Sequence, residues 1–482
     1  MDSGQAQGGG TAVNKSEQIL LMQKGSVSAA LWKLGLPTML GMLISALYNV
    51  VDGFFVSRLG SSPMAGVSVA FPLILLLVGI GMTFGCGAAS YVSRLLGAGQ
   101  RQLANRVAST ALYSGMAAGG IFMLLVFYFL EPVLFLLGAS ETTLPYAMQF
   151  TKVFMLAAVF NTFNLIVDQL AAAEGITRIP MLAMILGSVL NMLLNPLFIY
   201  QMGLGVSGSA WASVVSILAT SLFFWRFIFS RQGVLTYDLS CFAPSSAIFR
   251  EILKIGIPMF VSQFLQSTTL GLMNIVAAVY GDAAVAAAGA VNRILPLGFF
   301  VVFGFLRGYG PFAGYNYGAR QYGRLQAATH TALCWTTAFC ALAAGCLLLF
   351  PTRIMAPFSA GNGEALQIGA DMLWANGLGF LVFGFEMVYM TLFLSIGNGA
   401  AGGILSVSLQ GVFCIPLLLV LPHFWGLAGL IWAYPMAHYL NAFLTMILKV
   451  KVLKNIAPRM DGLFHLAAGR PQKERAPRSH YE

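Results

Sequence analysis

The amino-acid sequence predicts an all-α membrane protein whose twelve transmembrane helices form two homologous six-helix bundles. Hydrophobic residues make up 58% of the 482-residue chain, and charged residues only 9%. A soluble domain carries roughly a quarter of charged residues, whereas apolar runs of about 20 residues cross a bilayer as helices. A repeat with one constant offset divides the predicted helices into two equal sets.

Long apolar segments, separated by short polar connections, recur along the chain. Because an α-helix rises about 1.5 Å per residue, a segment of about 20 residues covers the hydrocarbon core of a bilayer. The twelve predicted spans are residues 30–56, 66–92, 106–130, 147–172, 181–201, 208–229, 254–279, 286–310, 327–350, 372–395, 403–421 and 426–448.

The distribution of the basic residues predicts the orientation of the chain. The formal net charge is +10, and most of the 26 Lys and Arg residues lie on one side of the predicted membrane if the N-terminus is inside. Only Arg58 and Arg353 lie in loops on the other side. This asymmetry follows the positive-inside rule, so it indicates topology rather than a nucleic-acid partner. We therefore expect both termini to be cytoplasmic.

The chain repeats itself at an offset of 221 residues. "LWKLGLP" at Leu31–Pro37 corresponds to "ILKIGIP" at Ile252–Pro258, and "GAGQ" at Gly97–Gln100 corresponds to "GARQ" at Gly318–Gln321. Since each repeat contains an even number of spans, both halves enter the membrane in the same orientation. That symmetry is typical of transporters whose substrate site lies between two bundles near the bilayer midplane.

The repeat also predicts the domain boundaries. The long polar connection between the two sets of spans, rich in Ser, Gly and Pro, is interpreted as a linker. The predicted order is a flexible cytoplasmic leader (1–27), a first lobe (28–230), a cytoplasmic linker (231–250), a second lobe (251–450) and a basic cytoplasmic tail (451–482).

An acid and four asparagines form a predicted polar cluster in the first lobe. Asp52 lies in the outer half of the first span, and Asn191 and Asn195 lie on one face of the fifth span at a similar depth. Asn161 and Asn164 lie on one face of the fourth span. A carboxyl group among amides in a low dielectric can take up and release a proton, so the cluster is a candidate ion-coupling site. The alternative is that the asparagines only join helices through hydrogen bonds.

The second lobe carries different polar groups. The residue 221 positions after Asp52 is Met273, so the acid is not part of the duplicated scaffold. Gln263 and Gln266 on the seventh span and Glu386 on the tenth are candidates for contacting a cationic substrate or a second ion.

Two further charged residues inside spans, Asp168 and Arg293, are accessory candidates. The alternative for Asp168 is a structural ion pair with Lys152, which lies on the same span. No phosphate-binding GxxxxGK[ST] loop, HExxH pattern or Ser/His/Asp arrangement occurs, and the predicted loops are too short for a catalytic domain. We therefore expect a protein that is not an enzyme and has no cofactor apart from H⁺ or Na⁺ as coupling ion.

Several segments resemble the multidrug and toxic compound extrusion (MATE) family. They are "GLPTMLGMLISALYNVVDGFFVSRLG", "GAGQ", "AAEGITR" and "NMLLNPLFI" in the first half, and "GYGPFAGYNYGARQYGR" at Gly308–Arg324, which is similar to the bacterial multidrug-efflux branch. The resemblance covers about residues 28 to 450. It implies two six-helix lobes around a V-shaped cavity, in antiporters that exchange inward H⁺ or Na⁺ for outward-moving organic cations.

The resemblance also assigns roles to individual residues. Asp52 matches the first-helix acid that binds the coupling cation, and Asn161 and Asn164 match a fourth-helix asparagine pair. Asn191 matches a fifth-helix asparagine, but Asn195 stands where the family often has an acid. This departure puts a Na⁺ site at Asp52 in doubt, and no other metal site is predicted.

In the second lobe, Gln266 stands where some Na⁺-coupled members have Glu, and Glu386 lies near another acid of the family. We therefore predict a secondary active antiporter of the bacterial inner membrane that exports organic, mostly cationic, drugs by alternating access as a monomer. The alternative is a lipid or oligosaccharide flippase of the same superfamily.

Overall fold

The computed structural model describes residues 22–358 and 362–456, so most of the predicted leader and tail lies outside the described residues. The first lobe contains six membrane-crossing segments, of which the fourth is divided. They are α1 (Val27–Ser57), α2 (Ser61–Gly97), α3 (Arg101–Tyr128), α4a (Leu144–Met155) with α4b (Ala158–Ala173), α5 (Arg178–Pro196, continued by a π-helical turn at Leu197–Gln201) and α6 (Val206–Phe229).

The second lobe repeats this order. Its segments are α7 (Ser246–Ala278), α8 (Asp282–Gly318), α9 (Tyr322–Leu349), α10 (Gly363–Ser395), α11a (Gly399–Val407) with a π-helical segment (Ser408–Cys414) and α11b (Ile415–Trp425), and α12 (Leu427–Ile456). Short helices at Leu130–Leu136 and Pro351–Met355 follow the third segment of each lobe, again 221 residues apart. The predicted all-α membrane fold with two homologous lobes is confirmed.

Nine helices of the described chain are long and apolar enough to cross a membrane, and the α4a–α4b pair makes ten. The remaining two segments, α7 and α12, are not among these helices. The fourth span, predicted as one helix, is bent by 55° between its two parts. Leu156 and Ala157 at the break donate their N–H groups to carbonyls three residues earlier, and this tight turn redirects the helix.

The two lobes meet at the end of the bundle where most of the described basic residues lie, which we call the basic end. Inter-lobe contacts there include Gly87 against Ile252, Gly256 against Thr83, Gly308 against Gly35, and an Arg94–Glu251 ion pair at 3.1 Å. The basic residues of this end include Lys24, Arg94, Arg101, Arg106, Arg250, Lys254, Arg320, Arg324 and Lys449.

Two glycines show how closely the lobes approach. A Cβ atom on Gly97, the last residue of α2, would lie 2.0 Å from the carbonyl oxygen of Tyr315 on α8. A Cβ on Gly318, the last residue of α8, would lie 2.0 Å from the carbonyl oxygen of Arg94 on α2. These two contacts are related by the 221-residue offset, so the two lobes are related by a pseudo-two-fold axis that follows the sequence repeat.

The folded chain begins earlier than the predicted leader boundary at residue 27. Met22 is fully buried. The guanidinium group of Arg324 donates hydrogen bonds to the carbonyl oxygens of Gly25 at 2.8 Å and Met22 at 3.2 Å. The segment from Met22 is therefore packed against the second lobe.

The predicted linker is fixed to the first lobe. Glu174, fully buried at the end of α4b, accepts hydrogen bonds from the N–H groups of Val234 and Leu235 and from the Tyr237 hydroxyl. Burial of Tyr237, and next the nearby Glu174 carboxylate, raise the pKa of the Tyr237 phenol well above its usual value. The last residues of the predicted linker already belong to α7, which begins at Ser246.

Candidate ion-coupling and substrate site

Asp52 lies on α1 near the end that is remote from the basic end. Its side chain is half-buried, and its Oδ1 accepts a hydrogen bond from Asn195 Nδ2 at 2.8 Å and another from Ser209 Oγ at 3.2 Å. Among the described residues no ion pair involves Asp52. The carboxylate is therefore held by neutral donors from α5 and α6.

The hydrogen bonds continue from Asp52 into the first lobe. The amide of Asn195 also donates to Asn191 Oδ1 at 2.7 Å, and Asn191 Nδ2 donates to Ser213 Oγ at 3.1 Å. Asn191 and Asn195 lie four residues apart on α5, which packs between α1 and α6. The Oδ1 atom of Asn195 is buried and has no hydrogen-bond partner among the described residues. The polar chain therefore lacks one donor.

A cavity of about 440 Å³ adjoins this chain. Asn191 and Ser213 line it, so two hydrogen bonds connect the cavity wall to Asp52. Its walls are mainly apolar. The polar and aromatic lining residues include Ser45, Tyr48, Phe154, Asn161, Asn164, Ser188, Ser216, Thr220 and Phe224.

Asn161 and Asn164 lie on the wall of this cavity, whereas the hydrogen bonds to Asp52 come from Asn195 and Ser209. The amide of Asn164 donates to the carbonyl oxygen of Ile217 at 3.0 Å and accepts from Ser221 at 2.9 Å. The predicted cluster of five residues is therefore two neighbouring groups.

Asp168 does not pair with Lys152, whose side chain is exposed on α4a. Arg307 of α8 instead donates a charged hydrogen bond to Asp168 Oδ2, which joins the two lobes. Both residues line the cavity. The structural interpretation of Asp168 thus had the wrong partner, because sequence alone could not show that α8 of the second lobe packs against α4b. The other accessory candidate, Arg293, is exposed on α8.

Glu386 is fully buried in the second lobe. It contacts His438 Nδ1 and accepts a hydrogen bond from Asn441 Nδ2 at 2.7 Å, both from α12. The rings of Phe299, Phe383 and Tyr434 pack around His438. Gln263 and Gln266 lie on α7, half-buried and exposed respectively, and their described contacts do not include Glu386.

Sequence reasoning missed four polar partners. Ser209 and Ser213 lie four residues apart on α6, and His438 and Asn441 lie three apart on α12. This spacing places each pair on one helical face, which was an available signal. Serine is common in transmembrane helices, so the spacing alone did not show which acid lies next to each pair. Within residues 22–358 and 362–456, no three His, Cys, Asp or Glu side chains are close enough to hold a metal ion together.

Two pseudo-symmetric six-helix lobes, joined at one end of a membrane-spanning bundle, with buried acids and a cavity lined by the first lobe and by Arg307 of the second, define a polytopic membrane transporter. The chain belongs to the MatE family, whose family model matches residues 37–197 and 258–420. The two matched ranges again correspond to the two lobes. The predicted family is thereby confirmed, and the members of this family are membrane transporters.

Known proteins are similar over nearly the whole chain. The multidrug export protein MepA of Staphylococcus saprophyticus is 31% identical over 443 residues, which covers 90% of this chain and 96% of that protein. The crystal structure of a MATE protein in complex with MaL6 is also similar, with a TM-score of 0.86 and 26% sequence identity. The match covers 91% of this chain and 99% of that protein. An outward-facing multidrug resistance MATE transporter is similar at a TM-score of 0.85 and the same identity and coverage.

Proposed function

We propose that this protein is a secondary active antiporter that exports organic, mostly cationic, drugs in exchange for inward H⁺ or Na⁺ by alternating access. Similarity to MepA, a multidrug export protein, supports the substrate class. The cavity combines apolar walls with hydroxyl and amide side chains, which suits organic cations, since ligand sites bury apolar ligand surface and use polar groups for orientation. We place the protein in the bacterial plasma membrane with both termini cytoplasmic, as the basic end indicates.

The observation that carries the coupling role is the incomplete hydrogen bonding around Asp52. Within the described part of the chain its carboxylate has neutral donors and no cationic partner, and the buried Oδ1 of the neighbouring Asn195 lacks a donor. A proton on Asp52 would supply such a donor, and Na⁺ would accept oxygen ligands from the same groups. Binding of either cation changes the hydrogen bonds between α1, α5 and α6, which gives the ion a differential effect on helix packing.

The contacts at the basic end support an outward-facing state. If that end is cytoplasmic, the close glycine contacts close the cytoplasmic side, and the cavity beside the Asp52 hydrogen-bond chain would open to the outside. The similar solved transporter described as outward-facing agrees with this proposal. The cycle requires a second state in which the lobes separate at the basic end and meet at the other.

The function is tested with purified protein in liposomes that carry either a pH gradient or a Na⁺ gradient alone, with ethidium as substrate. We expect gradient-driven ethidium transport by the wild type and its loss in Asp52→Asn. The matched control is Asp371→Asn, since Asp371 is an exposed acid on α10. It should transport as well as the wild type.

The gradient that drives transport identifies the coupling ion. If Asp52→Asn keeps gradient-driven transport, Asp52 is not the coupling group. If the wild type moves a fluorescent lipid but no organic cation under either gradient, the flippase alternative replaces the antiporter.

A further inference from the structure

The Asp168–Arg307 pair is a charged contact between the lobes within the cavity wall. Asp168 is on α4b of the first lobe, and Arg307 is on α8 of the second. Their side chains are 12% and 13% exposed, and both line the cavity. A charge placed there is expensive and is usually retained for a function.

The pair leaves hydrogen-bonding capacity unused. Among residues 22–358 and 362–456, the Oδ1 atom of Asp168 and the Nε atom of Arg307 are buried without a hydrogen-bond partner, and Arg307 Nη1 contacts the sulfur of Met184 at 3.8 Å. Arginine and a carboxylate often join through two parallel hydrogen bonds, but Arg307 reaches one oxygen of Asp168. A buried acceptor on the cavity wall therefore stays without a donor.

The pair is also absent from the duplicated scaffold. The residue 221 positions before Arg307 is Cys86. At this point the repeat offset is 222 residues, as the turn glycines that follow α4b and α10, Gly175 and Gly397, show. With this offset the residue that corresponds to Asp168 is Met390. The glycine contacts at the basic end occur in both lobes, whereas the charges occur once. Lobe closure itself does not need them.

We propose that Asp168 binds the positive charge of the exported organic cation, and that Arg307 takes the place of that cation when the lobes close at the basic end. This inference rests on the proposed antiport function and adds a specificity-determining residue to it. Because the two residues belong to different lobes, separation of the lobes at the basic end withdraws Arg307 from Asp168. The free carboxylate then attracts an organic cation into a cavity whose other lining residues, apart from Arg307, are uncharged.

Closure of the basic end reverses this effect. Arg307 returns to Asp168 and neutralises it, so the affinity of the cavity for a cation falls in the state from which the cation leaves. Arg307 and the substrate compete for one carboxylate, and the competition couples cation affinity to the lobe arrangement. Directional release then follows from contacts within the protein, in addition to any change at Asp52.

The test uses the full-length purified protein in lipid nanodiscs and measures binding of tetraphenylphosphonium. Asp168→Asn should weaken binding about tenfold or more, which corresponds to about 1.4 kcal/mol. Arg307→Gln removes the competitor and should strengthen binding several-fold while slowing net transport. Asp168→Glu keeps the charge and should keep most of the affinity, and Asp371→Asn is the matched control for loss of an exposed acid.

A reversed pair distinguishes this role from a purely structural one. The double variant Asp168→Arg with Arg307→Asp keeps an inter-lobe ion pair but moves the carboxylate to the other lobe. We expect it to keep the wild-type melting temperature without recovering tetraphenylphosphonium affinity. Recovery of affinity, or unchanged affinity in a folded Asp168→Asn variant, would overturn the inference while leaving transport by the wild type intact. If the wild type neither binds nor transports any organic cation, the proposed function itself fails.

Discussion

A methyl group on either of two glycines should hold the lobes apart at the basic end. In Gly97→Ala and Gly318→Ala the new Cβ would lie 2.0 Å from a carbonyl oxygen of the opposite lobe, whereas ordinary contact begins at 3.4 Å. The difference is about 1.4 Å. Both obstructing oxygens belong to helix backbone, so neither can rotate away, and α2 and α8 must separate.

This separation should shift the equilibrium between the arrangement with the basic end closed and the arrangement with it open. Overpacking of this kind typically costs about 1–3 kcal/mol, and it applies only to the arrangement with the basic end closed. The population ratio of closed to open protein should fall about 5- to 150-fold, since such energies correspond to factors of that size. Alanine favours helix by about 1 kcal/mol relative to glycine, so a loss of local helix structure is not expected.

Spin labels measure the change directly. Gln102 on α3 and Gly323 on α9 are exposed, correspond at the 221-residue offset, and lie on different lobes at the basic end. Double electron–electron resonance between labels at these positions, in a variant without the six free cysteines, should show a longer mean distance in both alanine variants. Turnover of ethidium transport should fall in parallel.

The matched control is Gly289→Ala. Gly289 lies on α8, as Gly318 does, but a Cβ there would meet nothing within 4 Å. It should give the wild-type distance distribution and transport rate. Wild-type distances in both Gly97→Ala and Gly318→Ala would refute the assignment of this interface as the closed gate of the transport cycle.

Three further predictions concern buried groups outside the Asp52 chain. Glu174→Gln should lower the free energy of unfolding by about 1–3 kcal/mol, because one amide oxygen must replace a carboxylate that accepts three hydrogen bonds; an unchanged melting temperature, or an equal loss in the exposed control Glu364→Gln, would contradict this. Because the pKa of Tyr237 is raised, its neutral form stabilises the fold fully below the ordinary phenol pKa of about 10, and this contribution is lost as pH rises through the folded-state pKa. Melting temperatures from pH 8 to 11 should thus fall more steeply in the wild type than in Tyr237→Phe, and parallel curves would argue against the shift. His438→Ala should destabilise the second lobe by about 1–3 kcal/mol by leaving one oxygen of the buried Glu386 side chain without its ring partner, whereas Glu386→Gln keeps a hydrogen-bonding side chain there and should cost less; equal losses in thermal unfolding would contradict a role of the ring as hydrogen-bond partner.

The family, the two lobes and the contact between Asp52 and Asn195 could be predicted from the sequence. They follow from hydropathy, from a constant repeat offset and from helical periodicity, which can be read within a single segment or by comparing two segments. The break in α4 was not predictable, since no proline marks it and a tight turn at Leu156 redirects the helix. The partner of Asp168 was not predictable either. It depends on which helix of the second lobe crosses α4b, and periodicity within a helix contains no information about that crossing.

Asp52 in the first lobe and Glu386 in the second have different partners, so the two lobes do not carry equivalent acidic sites. Asp52 is held by an amide on α5, and the residue 221 positions after Asn195 is Pro416, which has no side-chain donor. Glu386 is held by His438 on the last helix of its lobe, and the residue 221 positions before His438 is Ile217. Neither hydrogen-bonding set can therefore form in the other lobe, although the scaffolds correspond. Contacts between the lobes therefore join different chemistry on the two sides: close backbone approaches of glycines and the Arg94–Glu251 pair at the basic end, and the Asp168–Arg307 pair at the cavity wall.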